Sequence, residues 1–223
     1  MWCIPPAANA AFVCAMEDIL EIYKRPYNPE EPLVCMDEMA KQLINEICLP
    51  IPGEPGKIAR FDYEYERNGV CNLFMFYEPF GAKRYTAITE RRTKVDWAYQ
   101  IKELLDLHYP DVKKVVLVMD NLNTHSGASL YEAFSPHEAR RLLERLEIHY
   151  TPKHGSWLNI AEIELRVLMS QCLNRRIPDK KALEHETKQW ENQRNIIEAK
   201  VNWQFTIDDA RIKLKRLYPT LLT

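Results

Sequence analysis

The chain reads as an α/β protein, a mixed sheet carrying helices, with the element order βββαβαβα. Three observations lead there. Val115-Val116-Leu117-Val118-Met119 is an unbroken apolar run with three valines, the pattern of a strand buried on both faces. Before it lie segments that alternate at period two, and beyond residue 94 helical periodicity alternates with short strand-like runs.

The opening residues hold Pro5 and Pro6, then Phe12, Met16, Ile19, Leu20 and Tyr23 at helical spacing, closed by Pro26, Pro29 and Pro32. This predicts one amphipathic helix and a linker over 1–32. The apolar run ending at Asp37 is the first strand. Residues 38–44 can form a short helix, followed by a loop rich in proline and glycine. Residues 61–66 alternate, Asn68-Gly69 is a strong two-residue hairpin signal, and residues 70–77 return as the next strand. Residues 84–88 supply another strand.

From Lys94, the residues Val95, Ala98, Ile101, Leu104, Leu105 and His108 share a helical face that Pro110 ends. After the Val115 strand, Ser135-Pro136 opens a helix over 139–146. Residues 148–150 form a strand, residues 159–173 a helix, and the charged tail is helical past Trp190, with a cap at Thr206 before a last helix. No internal repeat is present.

The 223 residues suffice for one well-buried domain, and 46% hydrophobic with 28% charged residues is ordinary for a soluble protein. A net charge of -2 offers no global attraction to nucleic acid, so any nucleic-acid contact must come from local basic patches. The six cysteines show no CxxC pair, which favours reduced thiols and a cytoplasmic protein over a disulfide frame or zinc site. Neither a membrane span nor a signal peptide is indicated.

Three acids arrive from distant segments: Asp37 and Asp120 at the ends of apolar strands, and Glu162 at the start of a helix. Carboxylates so placed are how proteins hold Mg²⁺ or Mn²⁺, and two such ions about 3.5–4 Å apart serve phosphoryl transfer. Each acid also has a plainer use: Asp37 and Asp120 as caps of local turns, Glu162 as a solvated helix residue. Glu164 competes with Glu162, and Glu38 with Asp37, although helical and strand geometry let only one of each pair face the site.

These residues stand in larger motifs. Met119-Asp120-Asn121-Leu122-Asn123-Thr124-His125, and the stretch from Tyr150-Thr151-Pro152-Lys153-His154-Gly155 through Ser156-Trp157-Leu158-Asn159-Ile160-Ala161-Glu162, resemble the second and third acid motifs of IS630-type transposases in the Tc1/mariner superfamily. Val34-Cys35-Met36-Asp37-Glu38 resembles the first, and Asn202-Trp203-Gln204-Phe205-Thr206 the family's C-terminal end. The resemblance spans nearly the whole chain.

It implies an RNase H-like catalytic domain over 33–200 and a helical tail over 201–223. Asp37, Asp120 and Glu162 are then the catalytic metal ligands for two Mg²⁺ or Mn²⁺ ions. Asn121, His125 and Asn159 are supporting residues, with His125 either at the scissile phosphate or bracing its loop. Arg175, Arg176, Lys153 and His154 are the DNA-contact candidates. The implied reaction is cleavage at transposon ends and transfer of the 3′ ends to target DNA, by a homodimer on DNA. Full-length members carry an upstream helix-turn-helix region, whereas one helix precedes Asp37 here, as expected of a truncated, frameshifted or split copy. A nuclease of the same fold, or an inactive remnant that only binds partners, is the alternative, and the presence of all three acids argues against the remnant.

Overall fold

The computed structural model describes residues 4–48, 50–60 and 62–219. Five strands form one sheet in the order β3-β2-β1-β4-β5, with β1 Leu33–Glu46, β2 Tyr65–Glu78, β3 Lys83–Thr89, β4 Val115–Met119 and β5 Leu146–Tyr150. The first three strands pair antiparallel, while β4 runs parallel to both β1 and β5. Helices α1 Ala10–Lys24, α2 Lys94–Glu103, α3 Gly127–Ala133, α4 Pro136–Glu144, α5 Ile160–Leu168, α6 Lys180–Ile196 and α7 Ile207–Lys213 cover the sheet. Both α2 and α5 continue into a wider π turn, at Leu104–His108 and Met169–Leu173.

Strand alternation sorts the core into two layers. Cys35, Leu73, Met75, Val116 and Val118 pack with Met16, Ile19, Leu165, Leu168, Leu183 and Leu217 from α1, α5, α6 and the tail. Val34, Met36, Phe74, Leu117 and Met119 pack on the opposite face with Trp97, Ile101, Leu130 and Leu142 from α2, α3 and α4. Helices therefore lie on both faces, which is why β4 reads as continuous apolar sequence.

Two expectations fail in one place. Residues 38–44 are not a helix: β1 runs on to Glu46, because it pairs with β2 from Cys35 to Glu46 and cross-strand bonding outweighs local propensity. Asn68-Gly69 is not a hairpin turn either. It lies within β2, where the register shifts between Gln42 and Ile44, and Gly69 adopts φ +88° in a bulge. Residues 62–64 precede the strand, and Phe61, the expected start, lies outside the described residues. The short helix α3 was not foreseen.

The outer strand β3 is finished by side chains. Asn195 on α6 accepts from the Arg84 N–H and donates to the Arg84 carbonyl, both at 2.9 Å, and Glu191 accepts from the Thr86 N–H at 2.8 Å. Cys14, Cys35, Cys48, Cys71 and Cys172 are free thiols, while Cys3 lies outside the described residues. No helix among the described residues is long and apolar enough to cross a membrane.

Candidate active site

Parallel pairing sets Cys35 of β1 beside Val118 of β4, so Asp37 and Asp120, each two residues on, come side by side where β4 ends; Asp37 does not end its strand as expected but lies within β1, which continues to Glu46 along β2. Glu162 comes from the first turn of α5, whose N-cap is Asn159. The Asn159 carboxamide oxygen accepts from the Ala161 N–H at 3.1 Å, and its NH₂ donates to the Met36 carbonyl at 2.7 Å. One buried amide thus starts the helix that carries Glu162 and fastens it to the strand next to Asp37.

Asp37 feels the other two acids. Burial, reinforced by the charges of Asp120, Glu162 and Glu38, pushes the Asp37 carboxyl up to about 7 against a 2.8 Å hydrogen bond from the Glu38 N–H. Glu162 Oε1 accepts from Arg166 at 2.8 Å, whereas its Oε2 is buried without a hydrogen-bond partner. An oxygen in that state is poised for a cation. An all-carboxylate donor set with open positions fits a hard divalent ion. Among the described residues no three or more His, Cys, Asp and Glu side chains stand close enough together to hold a metal ion as they are placed.

The competing acids differ: Glu164 is engaged away from the site, whereas Glu38 lines the same groove as Asp37 and Glu162. Glu164 is fully buried, bonded to Arg84 Nε at 3.0 Å and to Arg194 at 3.0 Å, so it ties α5 to β3 and α6. Glu38 turns toward the α2 face of the sheet, with Arg92 at 3.3 Å.

His125 links the two sides. Its Nδ1 lies 2.5 Å from Asp120 Oδ1, and its Nε2 lies 3.6 Å from Glu38 Oε2, too long for a hydrogen bond. Burial works against its positive charge, but Asp120 and Glu38 outweigh that and hold its pKa at about 9. Trp97 stacks beside it with ring centroids 6.0 Å apart, and the Tyr150 hydroxyl donates to its carbonyl at 2.9 Å.

Asn121 is exposed on the same loop, away from these contacts. Lys153 and His154 occupy an exposed turn closed by the Gly155 N–H to the Pro152 carbonyl, with His154 at φ +66°. A Cβ on Gly155 would come within 2.6 Å of Pro152, so only glycine fits. Arg176 is half-buried, paired with Glu46 and lying 5.3 Å over the Tyr65 ring. Arg175 is exposed and pairs with Glu186 at 2.5 Å.

A groove of about 450 Å³ lined by Asp37, Glu38, Glu162 and Arg166 runs along α5 to Ser170 and Asn174, where Arg175 lines the neighbouring hollow. Sequence reasoning missed Arg166 and Trp97. Arg166 was visible as the cation four residues after Glu162, while Trp97 carried no signal beyond its helical spacing.

Residues 32–184 match the model of a family described as DDE superfamily endonuclease. The chain belongs to that family. The matched residues of this DDE endonuclease domain include all three acids. No curated protein matches the chain. Among solved structures, the catalytic domain of Mos1 mariner transposase aligns at 14% identity with a TM-score of 0.56 over 85% of each chain. The Mos1 paired-end complex with Mn aligns at 16% identity and TM-score 0.58, over 88% of this chain and 60% of that one. The complex with the left transposon end aligns at 17% and 0.57, over 85% and 57%. The DDE endonuclease domain thus shares the RNase H-like fold of the mariner transposase catalytic domain, while spanning about 57–60% of the length of those longer Mos1 chains.

Proposed function

We propose that this DDE endonuclease domain works as an IS630-type transposase: it cuts DNA at transposon ends and transfers the freed 3′ ends to target DNA, as a homodimer on DNA. The observation that carries the proposal is the convergence of Asp37, Asp120 and Glu162, with the buried Glu162 Oε2 left unbonded. Those three would hold Mg²⁺ or Mn²⁺, in two ions. When bound, the metal supplies activation of the attacking oxygen and stabilisation of the leaving one.

The chain's own residues prepare that chemistry. Asn159 fixes Glu162 relative to β1, and His125 holds Asp120 in one orientation through Nδ1. Arg166 offsets the Glu162 charge in the metal-free protein, leaving its exposed guanidinium available to backbone phosphate once Glu162 engages a cation. Arg175, Lys153 and His154, all exposed, are placed for DNA contact; residues 33–200 form the catalytic unit, with 1–32 and 201–223 as flanking segments.

The test is nicking of supercoiled plasmid in Mn²⁺, paired with calorimetric Mn²⁺ titration. Wild type should nick and bind metal, and Asp120→Asn and Glu162→Gln should each lose both. Nicking that persists in either variant overturns the assignment, and products of strand joining separate a transposase from a hydrolytic nuclease.

A further inference from the structure

A second cleft, about 580 Å³, shares Glu162 and Arg166 with the catalytic groove. Its wall is aromatic: Trp157 meets Phe205 edge-on with centroids 5.6 Å apart, and Trp203 meets Tyr23 edge-on at 5.2 Å. The Trp203 indole N–H donates to the Phe205 carbonyl at 2.7 Å. Rings held this way have little conformational freedom left to lose on binding. Asn202 and Gln204, both exposed, stand at the same cleft with amides that donate and accept. Arg166, its side chain 79% exposed, lies between this cleft and the acids.

An aromatic wall on which Lys213 lies 5.6 Å over the Phe205 ring, leaving Trp157 and Trp203 as the rings for a base, two amides able to read a base edge, and a cation on the way to a phosphoryl-transfer site match one class of ligand, an unstacked nucleobase. We propose that the Trp157–Trp203–Phe205 cleft receives an unpaired nucleobase of the DNA strand whose phosphate lies at Asp37, Asp120 and Glu162, with Arg166 on the connecting phosphate. The proposal rests on the DNA-cutting function above. A base at a cut end is the easiest to unpair, so the cleft favours a frayed or cleaved terminus over continuous duplex.

The test uses the full chain, without metal, and two fluorescent duplexes that carry either a short thymidine 3′ overhang or an abasic overhang of equal length. Both present the same phosphates, so only base recognition separates them. Wild type should bind the thymidine overhang about tenfold more tightly, the scale of one stacked base. Trp157→Leu should bring the ratio close to unity, and Trp157→Phe, which keeps an aromatic face, should restore most of it. Should Trp157→Leu fail to fold, Gln204→Ala at the exposed rim should lower the ratio instead. A ratio near unity in wild type, or one unchanged in the folded variants, overturns the proposal. Plasmid nicking in Mn²⁺ runs alongside: Asp120-dependent nicking with no base preference defeats the cleft alone, whereas absence of nicking defeats the DNA-cutting function.

Discussion

The Asn159 side chain donates to the Met36 carbonyl at 2.7 Å while its oxygen caps the helix that carries Glu162, so one amide sets the spacing between two acids from different elements. Asn159→Ala should cost about 2 kcal/mol by losing the cap and leaving a buried carbonyl unbonded. It should also weaken Mn²⁺ binding by about 10–100-fold, as removal of a ligand-orienting partner does. Thermal melting and calorimetry check both effects.

Asp37 makes stability depend on pH in a definite direction. Its folded carboxyl, at about 7, holds a proton far more tightly than the unfolded one near 3.8. That contribution is fully present below about pH 3.8 and is lost as pH rises through 7. His125, raised to about 9, acts the same way: its contribution is present below 6.5 and lost through 9. Asp37→Asn should therefore raise the unfolding free energy of the metal-free protein at pH 8 by roughly 1 kcal/mol or more, read as a higher Tm, while abolishing nicking. A drop in Tm would show that the carboxylate is not strained.

The neighbouring glutamates should separate cleanly. Glu164→Gln leaves the fully buried Arg84 short of its countercharge and should cost about 3–5 kcal/mol, read as a lower denaturation midpoint. Glu162→Gln should leave that midpoint nearly unchanged and remove activity.

Arg175 and Arg176, adjacent in sequence, should also behave differently. Arg176→Ala should lower stability, since its guanidinium is committed to Glu46 and Tyr65. Arg175→Ala should spare stability and reduce the salt dependence of DNA binding by about one unit of slope. Equal effects from the two would sink this distinction.

The buried strand β4 was legible because both of its faces are covered, which forces five apolar residues in a row. Asp37 within β1 and Asp120 just past β4 were legible for the same reason, as the first charges after apolar runs. The extension of β1 was not, because Glu38 to Ile44 mixes charged and apolar residues in a way that satisfies either period, and only pairing with β2 decides. Asn68-Gly69 carries the same ambiguity: glycine at positive φ serves a bulge as well as a turn. The contact of His125 with Glu38 needed the two sheet layers to be known, since nothing local links residues that far apart.

The side-chain closure of β3 bears on how copies of this domain can meet. An outer strand normally offers its backbone to any passing strand, the route by which sheets zip together and aggregate. Here Asn195 and Glu191 already occupy the N–H groups of Arg84 and Thr86. A second copy that meets this border finds those donors already taken, which works against fusion of two sheets and fibre growth from β3.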